Sequence, residues 1–92
     1  MTTDEFVKKV AGNIGIISDD PDVLAQVGIR ALGVIGYING GGGNVTIETI
    51  TDYELLCVSL GTADILVQKL PQYSPGFMAM AMQLQLGGGK NG

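Results

Sequence analysis

Near the start of the chain, Phe6, Val7, Val10, Ala11 and Ile14 recur at the three-to-four-residue spacing of one helical face. Thr2-Thr3-Asp4-Glu5 stands before them. A Thr followed three residues later by Glu forms a capping box, in which each side chain satisfies the other residue's otherwise unpaired backbone amide. Gly12 and Gly15 mark the end of this element, so a first helix of about three turns is predicted.

Ser18-Asp19-Asp20-Pro21-Asp22 is the sharpest boundary. Asp20 suits an N-cap, Pro21 the first helical position, and Asp22 complements the positive helix end. Beyond it Leu24, Val27, Ala31, Leu32, Ile35 and Ile38 trace one stripe. The spacing predicts a second helix from residue 21 to about residue 38, roughly 27 Å long. Gly28, Gly33 and Gly36 interrupt it, each costing about 1 kcal/mol relative to Ala. Either another helix comes close at these points, or the last turns kink. Gly40, Gly41, Gly42 and Gly43, between Asn39 and Asn44, then predict a flexible loop. A phosphate-cradling loop needs a Lys and a Ser or Thr at fixed offsets, and both are missing. The four glycines are therefore expected to form a mobile tip that orders against a neighbour.

Residues 45–50 begin with apolar–polar alternation, are rich in β-branched side chains, and predict a short strand. Thr51-Asp52-Tyr53-Glu54 repeats the capping box. Leu56, Leu60, Ala63, Leu66, Val67 and Leu70 follow as a stripe ended by Pro71, predicting a third helix over residues 52–70. Leu24, Ile35, Leu56, Leu60, Ala63 and Leu66 are the expected core between helices two and three. In the tail, Ser74-Pro75-Gly76 is a usable helix start, and Met, Ala, Gln and Leu are good helix formers. Yet Met78, Met80, Met82, Leu84 and Leu86 alternate with small or polar residues, which puts all five on one face of a strand. The alternation predicts a strand over residues 77–86. These five are candidate interaction residues that add to a sheet edge, such as residues 45–50, within the subunit or across to a neighbour. The predicted fold is mainly α: a small bundle of three to four helices with one or two short β-strands. It forms a single domain over residues 1–86, with residues 87–92 a disordered glycine-rich tail.

Composition turns attention from catalysis to association. Apolar residues are 46% of the 92 and charged residues 15%, against about 25% charged in an average soluble domain. Such a chain covers its surface poorly with polar groups, and exposed apolar area marks contact sites. Nine acidic against five basic residues argue against a phosphate-binding surface. Lys8 and Lys9 are the only adjacent cations, while Arg30, Lys69 and Lys90 are scattered.

There is no His to act as general base or metal ligand. Asp19, Asp20 and Asp22 lack the further oxygen ligands of a calcium loop and are read as helix caps. Cys57 lies in an apolar run and is expected to be buried; Ser59 and Ser74 have no base. Asp64 is expected to face solvent, or to pair with Arg30 across a subunit contact. The methionine run reads as an adaptable apolar face rather than a soft-metal site. No enzyme activity, cofactor or metal is expected. The N-terminus lacks signal-peptide character and no uninterrupted apolar run approaches the ~20 residues of a membrane span, so a cytoplasmic protein is expected.

Asp19-Asp20-Pro21-Asp22-Val23-Leu24 leading into a helix that ends at Tyr37-Ile38-Asn39, then a loop, then a Leu- and Ala-rich helix from Tyr53, resembles the small head–tail connector (adaptor) proteins of tailed bacteriophages. The likeness covers roughly residues 4 to 70. The chain departs from it in the glycines of helix two, the four-glycine loop and the methionine tail. The resemblance implies a non-enzymatic neck protein of a phage or prophage virion, assembled in the host cytoplasm. It would form a homo-oligomeric ring, a dodecamer, between the portal protein and the next neck or tail protein. DNA would pass through the ring without sequence-specific binding. The competing expectation is a dimeric regulatory or toxin–antitoxin-type helical module, which as a regulator needs a basic patch that this chain lacks.

Overall fold

A computed structural model describes residues 1–67 and 72–87. It contains four helices: α1 (Thr3–Asn13), α2 (Pro21–Gly40), α3 (Asp52–Val67) and α4 (Pro75–Gly87). The fold is mainly α, and the described residues include no strand.

Each helix start follows from its local sequence. Thr2 and Glu5 form the expected capping box, with Glu5 N donating to Thr2 Oγ1 at 3.2 Å and Thr2 N to Glu5 Oε1 at 2.9 Å. Asp20 caps α2 by accepting from Asp22 N at 2.9 Å, with Pro21 in the first turn. Thr51 and Glu54 repeat the box at α3. At α4, Ser74 Oγ accepts from Phe77 N at 3.2 Å.

Two helix ends share one device. After α1, Ile16 N donates to Ala11 O and Gly15 N to Gly12 O, with Gly15 at φ +82°. After α2, Gly43 N donates to Ile38 O and Gly42 N to Asn39 O, with Gly42 at φ +113°. Both are Schellman terminations, which place a residue in the left-handed region that glycine reaches without strain.

The pair α2–α3 is the centre of the bundle. Both α1 and α4 pack on both of its members, and no Cα of α1 lies within 8 Å of one in α4. Phe6 and Val10 of α1, Val27, Ala31, Val34 and Ile38 of α2, Cys57 and Val58 of α3, and Phe77 and Ala81 of α4 make one buried core, joined by Val45 from the loop.

Three expectations change here. The first is the face of α3. Leu56 is 56% exposed, and Cys57, Val58, Ser59, Gly61 and Thr62 are buried in its place. Leu24, Ile35, Leu60 and Leu66 are half-buried against the core, as is Ala63 in its own surroundings. The stripe is turned because α3 is apolar nearly all round, so hydrophobicity alone does not choose a face. Its narrowest side wins, since α4 and α2 press close there. Leu70 and Pro71, expected to end this helix, lie outside the described residues.

The second concerns residues 45–50, which are not a strand. Thr46 and Thr49 share a hydroxyl–hydroxyl hydrogen bond of 2.6 Å, and Thr49 N donates to Thr46 Oγ1 at 3.3 Å. These side-chain bonds close a turn over residues 47–49 in place of a ladder. The third concerns residues 77–86, which form α4 rather than the expected strand. With no sheet edge among the described residues to join, a strand there leaves its backbone groups unpaired. A helix satisfies them internally and still buries Phe77 and Ala81 with Met80 and Leu84 alongside. Gly87 closes α4, and residues 88–92 lie outside the described residues.

Candidate interaction surface

The polar groups of the bundle's interior are engaged in holding its elements together. Thr62 Oγ1 donates to Val58 O at 2.8 Å. Ser59 Oγ donates to Leu55 O at 2.8 Å and accepts from Asn13 Nδ2 at 3.0 Å, tying α1 to α3. Asp64, expected in solvent or paired with Arg30, is half-buried and accepts from Ser74 N and Ser74 Oγ at 2.9 and 2.8 Å, fixing the start of α4. Arg30 instead donates to Gln26 Oε1 at 2.6 Å. No buried side-chain nitrogen or oxygen among the described residues lacks a partner, and these residues contain no acidic or thiol cluster fit for a metal. Burial pushes the Cys57 thiol up to about 11, far from a nucleophile's range at neutral pH.

The four-glycine loop is tied down within the chain. Asn39 grips it through two bonds to Val45: Nδ2 donates to the carbonyl at 2.9 Å, and Oδ1 accepts from the amide at 2.8 Å. A side chain on Gly41 would overlap the Gln85 carboxamide of α4, and one on Gly43 would fall 2.6 Å from Cγ2 of Ile38. Gly42 runs beside the Gln85 carbonyl. Gly40 has open space around it. Gly42 and Gly43 thus have a reason inside the chain in backbone conformation and close packing, while Gly41 meets only the movable end of the Gln85 side chain.

Of the five candidate residues in the tail, Met80 and Leu84 turn inward. Met78, Met82 and Leu86 turn outward, and Leu86 is 80% exposed. The outward three stand at i, i+4 and i+8, one helical stripe. No residue of α4 is charged. On its flank Tyr53 Oη donates to Gln83 Oε1 at 3.5 Å, joining the start of α3 to α4.

A second apolar face lies on α2. Val27, Ala31, Val34 and Ile38 point to the core, while Ile29 and Leu32 are 65% and 47% exposed. Gly28 packs under Val7 of α1, where a Cβ would fall 3.2 Å from Val7 Cγ2. Gly33 and Gly36 have open space and the helix runs through both without a break, so of the two alternatives a close approach is met inside the chain at Gly28, and neither a close approach nor a break occurs at Gly33 and Gly36. Between α1 and α2 runs a groove of about 620 Å³ with Val7, Gly28, Leu24, Ile29 and Leu32 among its lining, and Lys8 and Asp4 contributed by α1. By length and composition α2 is also apolar enough to cross a membrane; in the bundle it packs against all three other helices.

Sequence reasoning missed this groove. The available signal was Ile29, an apolar residue on the far side from most of the predicted stripe: a helix apolar on both sides has one face left over after the core is made. Comparison of the chain with protein-family models, curated proteins and solved structures finds no match.

Proposed function

We propose that this chain is a non-enzymatic assembly subunit of a phage or prophage neck, forming an oligomeric ring between portal and tail that extends the DNA channel. The observation that carries the assembly reading is exposed apolar surface on separate helices. Ile29 and Leu32 of α2, Leu56 of α3, and Met78, Met82 and Leu86 of α4 are large, apolar and in water. Scattered apolar residues are ordinary, but a stripe and a groove on one small domain are surfaces that association removes from water. The resemblance of the segment from Asp19 to Leu24 and of the following helices to connector proteins narrows the assembly to a phage neck. A net charge of −4 suits a channel wall along which DNA moves without being held.

Native mass spectrometry tests this directly. A ring of many copies is the expected result. A dimer returns the reading to a regulatory helical module, and a monomer at high concentration removes assembly altogether.

A further inference from the structure

We propose that Asn39–Gly40 is a modification site: Asn39 deamidates when the loop after α2 opens, and the product keeps that loop from closing again. An asparagine followed by glycine cyclises most readily, because glycine has no Cβ in the way and the widest choice of backbone angles. Asn39–Gly40 is such a pair, and Asn91–Gly92, outside the described residues, is another. Asn13 and Asn44 precede Ile14 and Val45, whose branched side chains crowd the same approach. The reaction needs only water. The Gly40 nitrogen gives up its proton and bonds to Cγ of Asn39, and Nδ2 leaves as ammonia. Water then adds to one of the two carbonyl carbons of the cyclic succinimide and breaks its bond to the Gly40 nitrogen. Opening at Cγ leaves aspartate, and opening at the main-chain carbon leaves isoaspartate.

The closed loop holds both reacting groups out of position. Helix α2 runs through Gly40, so the Gly40 nitrogen is fixed in helical backbone and cannot turn onto Cγ. The leaving group, Nδ2, donates to the Val45 carbonyl at 2.9 Å, and Oδ1 accepts from the Val45 amide at 2.8 Å. Cyclisation therefore waits for the last turn of α2 and the loop to open together. That opening is local, since Gly40, Gly41 and Gly42 are exposed and only Val45 is buried. Neither product can restore the clamp. Without Nδ2, a carboxylate oxygen faces the Val45 carbonyl, acceptor against acceptor, beside a buried residue. The new negative charge also stands at the negative end of α2. Isoaspartate adds a carbon to the main chain as well. Gln85 of α4 lies against Gly41 and Gly42, so a loop held open loses its seat on α4.

The test incubates the folded protein and the urea-unfolded chain at one mildly alkaline pH and maps aspartate and isoaspartate by tryptic digestion and mass spectrometry. Cleavage at Arg30, Lys69 and Lys90 separates Asn39 from Asn91. Residue 39 should react roughly tenfold more slowly in the folded protein, as a reaction gated by local opening does. Two variants should move the folded rate in opposite directions. A Cβ on Gly43 falls 2.6 Å from Ile38 Cγ2 and 3.0 Å from the Ile38 carbonyl oxygen, so Gly43→Ala should loosen the loop and react severalfold faster, with its helices still seen by circular dichroism. Gly40 has open space around it, so Gly40→Ala should keep the loop closed, hinder cyclisation and react more slowly. The purified deamidated protein should exchange the amides of residues 41–45 faster than the parent. Equal folded and unfolded rates at residue 39, a folded Gly43→Ala protein no faster than the parent, or unchanged loop exchange after deamidation overturns the proposal. Should Gly43→Ala not fold, the folded-to-unfolded ratio and the loop exchange decide it.

Discussion

Phe77 occupies the space that a side chain on Gly61 would need: a Cβ built on Gly61 falls 2.6 Å from Phe77 Cε1 and 2.9 Å from Val34 Cγ1. This contact sets which side of α3 faces the core and how closely α4 lies against it. Ala is better than Gly in a helix by about 1 kcal/mol, but overpacking a close-packed core costs about 1–3 kcal/mol. Gly61→Ala should therefore lower stability in urea denaturation. Trimming the ring in the double variant with Phe77→Leu should recover part of that loss, because residues in contact are not additive. A Gly61→Ala protein as stable as the parent would show that the contact is loose.

Burial separates two large side chains that look alike in sequence. Phe77→Ala should cost about 3–5 kcal/mol, since Phe77 is fully buried and stacks on Tyr73 with ring centroids 4.5 Å apart. Leu56→Ala should cost about 0.5 kcal/mol or less in a monomer, as exposed positions do. Truncation after Ser74 removes Phe77 and should destabilise the remaining helices as well, which circular dichroism reads. Equal costs for the two substitutions would contradict the orientation of α3.

Asn39 closes the loop after α2 through both atoms of its carboxamide. Asn39→Ala leaves the amide and carbonyl of Val45, a buried residue, without those partners. The expected loss is about 1–3 kcal/mol. Asn39→Asp keeps the acceptor and loses the donor, so it should fall between Ala and the parent at neutral pH.

Cys57 should be inert to a thiol reagent in the folded protein and react only as fast as the chain opens, because its thiol is buried and raised to about 11. Added denaturant should raise the rate in step with unfolding. The raised value favours the protonated, folded form, and the unfolded chain ionises first, near the ordinary value of 9.0. This contribution to stability is complete below pH 9.0 and declines as pH rises toward about 11. Rapid labelling under native conditions would place the thiol at the surface.

Glu5 supplies the acid-side counterpart. The Thr2 backbone amide and then its hydroxyl hold the Glu5 carboxyl below its ordinary value of 4.5. A depressed carboxylate stabilises the fold above the unfolded value and loses that contribution as pH falls through the folded one. Melting temperature should thus fall less steeply below pH 4.5 in Glu5→Gln than in the parent. Parallel acid limbs for the two proteins would show that the cap contributes nothing measurable.

Helix starts and stops were legible in the chain because they depend on near neighbours. Thr2 with Glu5, Asp20 with Asp22, and Thr51 with Glu54 each satisfy backbone amides within three residues, so their pattern is written locally. The helical class and the buried thiol of Cys57 followed from the same reading. Which face of α3 is buried was decided only in three dimensions. Leu56 and Val58 are equally apolar, and the choice came from Phe77, nineteen residues beyond Val58, fitting over Gly61. The same holds for residues 77–86. Their alternation permits a strand, but a strand needs an edge, and the Thr46–Thr49 turn removes the nearest one. Left with only its own backbone to pair, the segment becomes α4, sending Met80 and Leu84 inward and Met78, Met82 and Leu86 into water. Local hydrogen bonding was set by the sequence alone, and the side of each apolar helix that meets water by what its partners had room to cover.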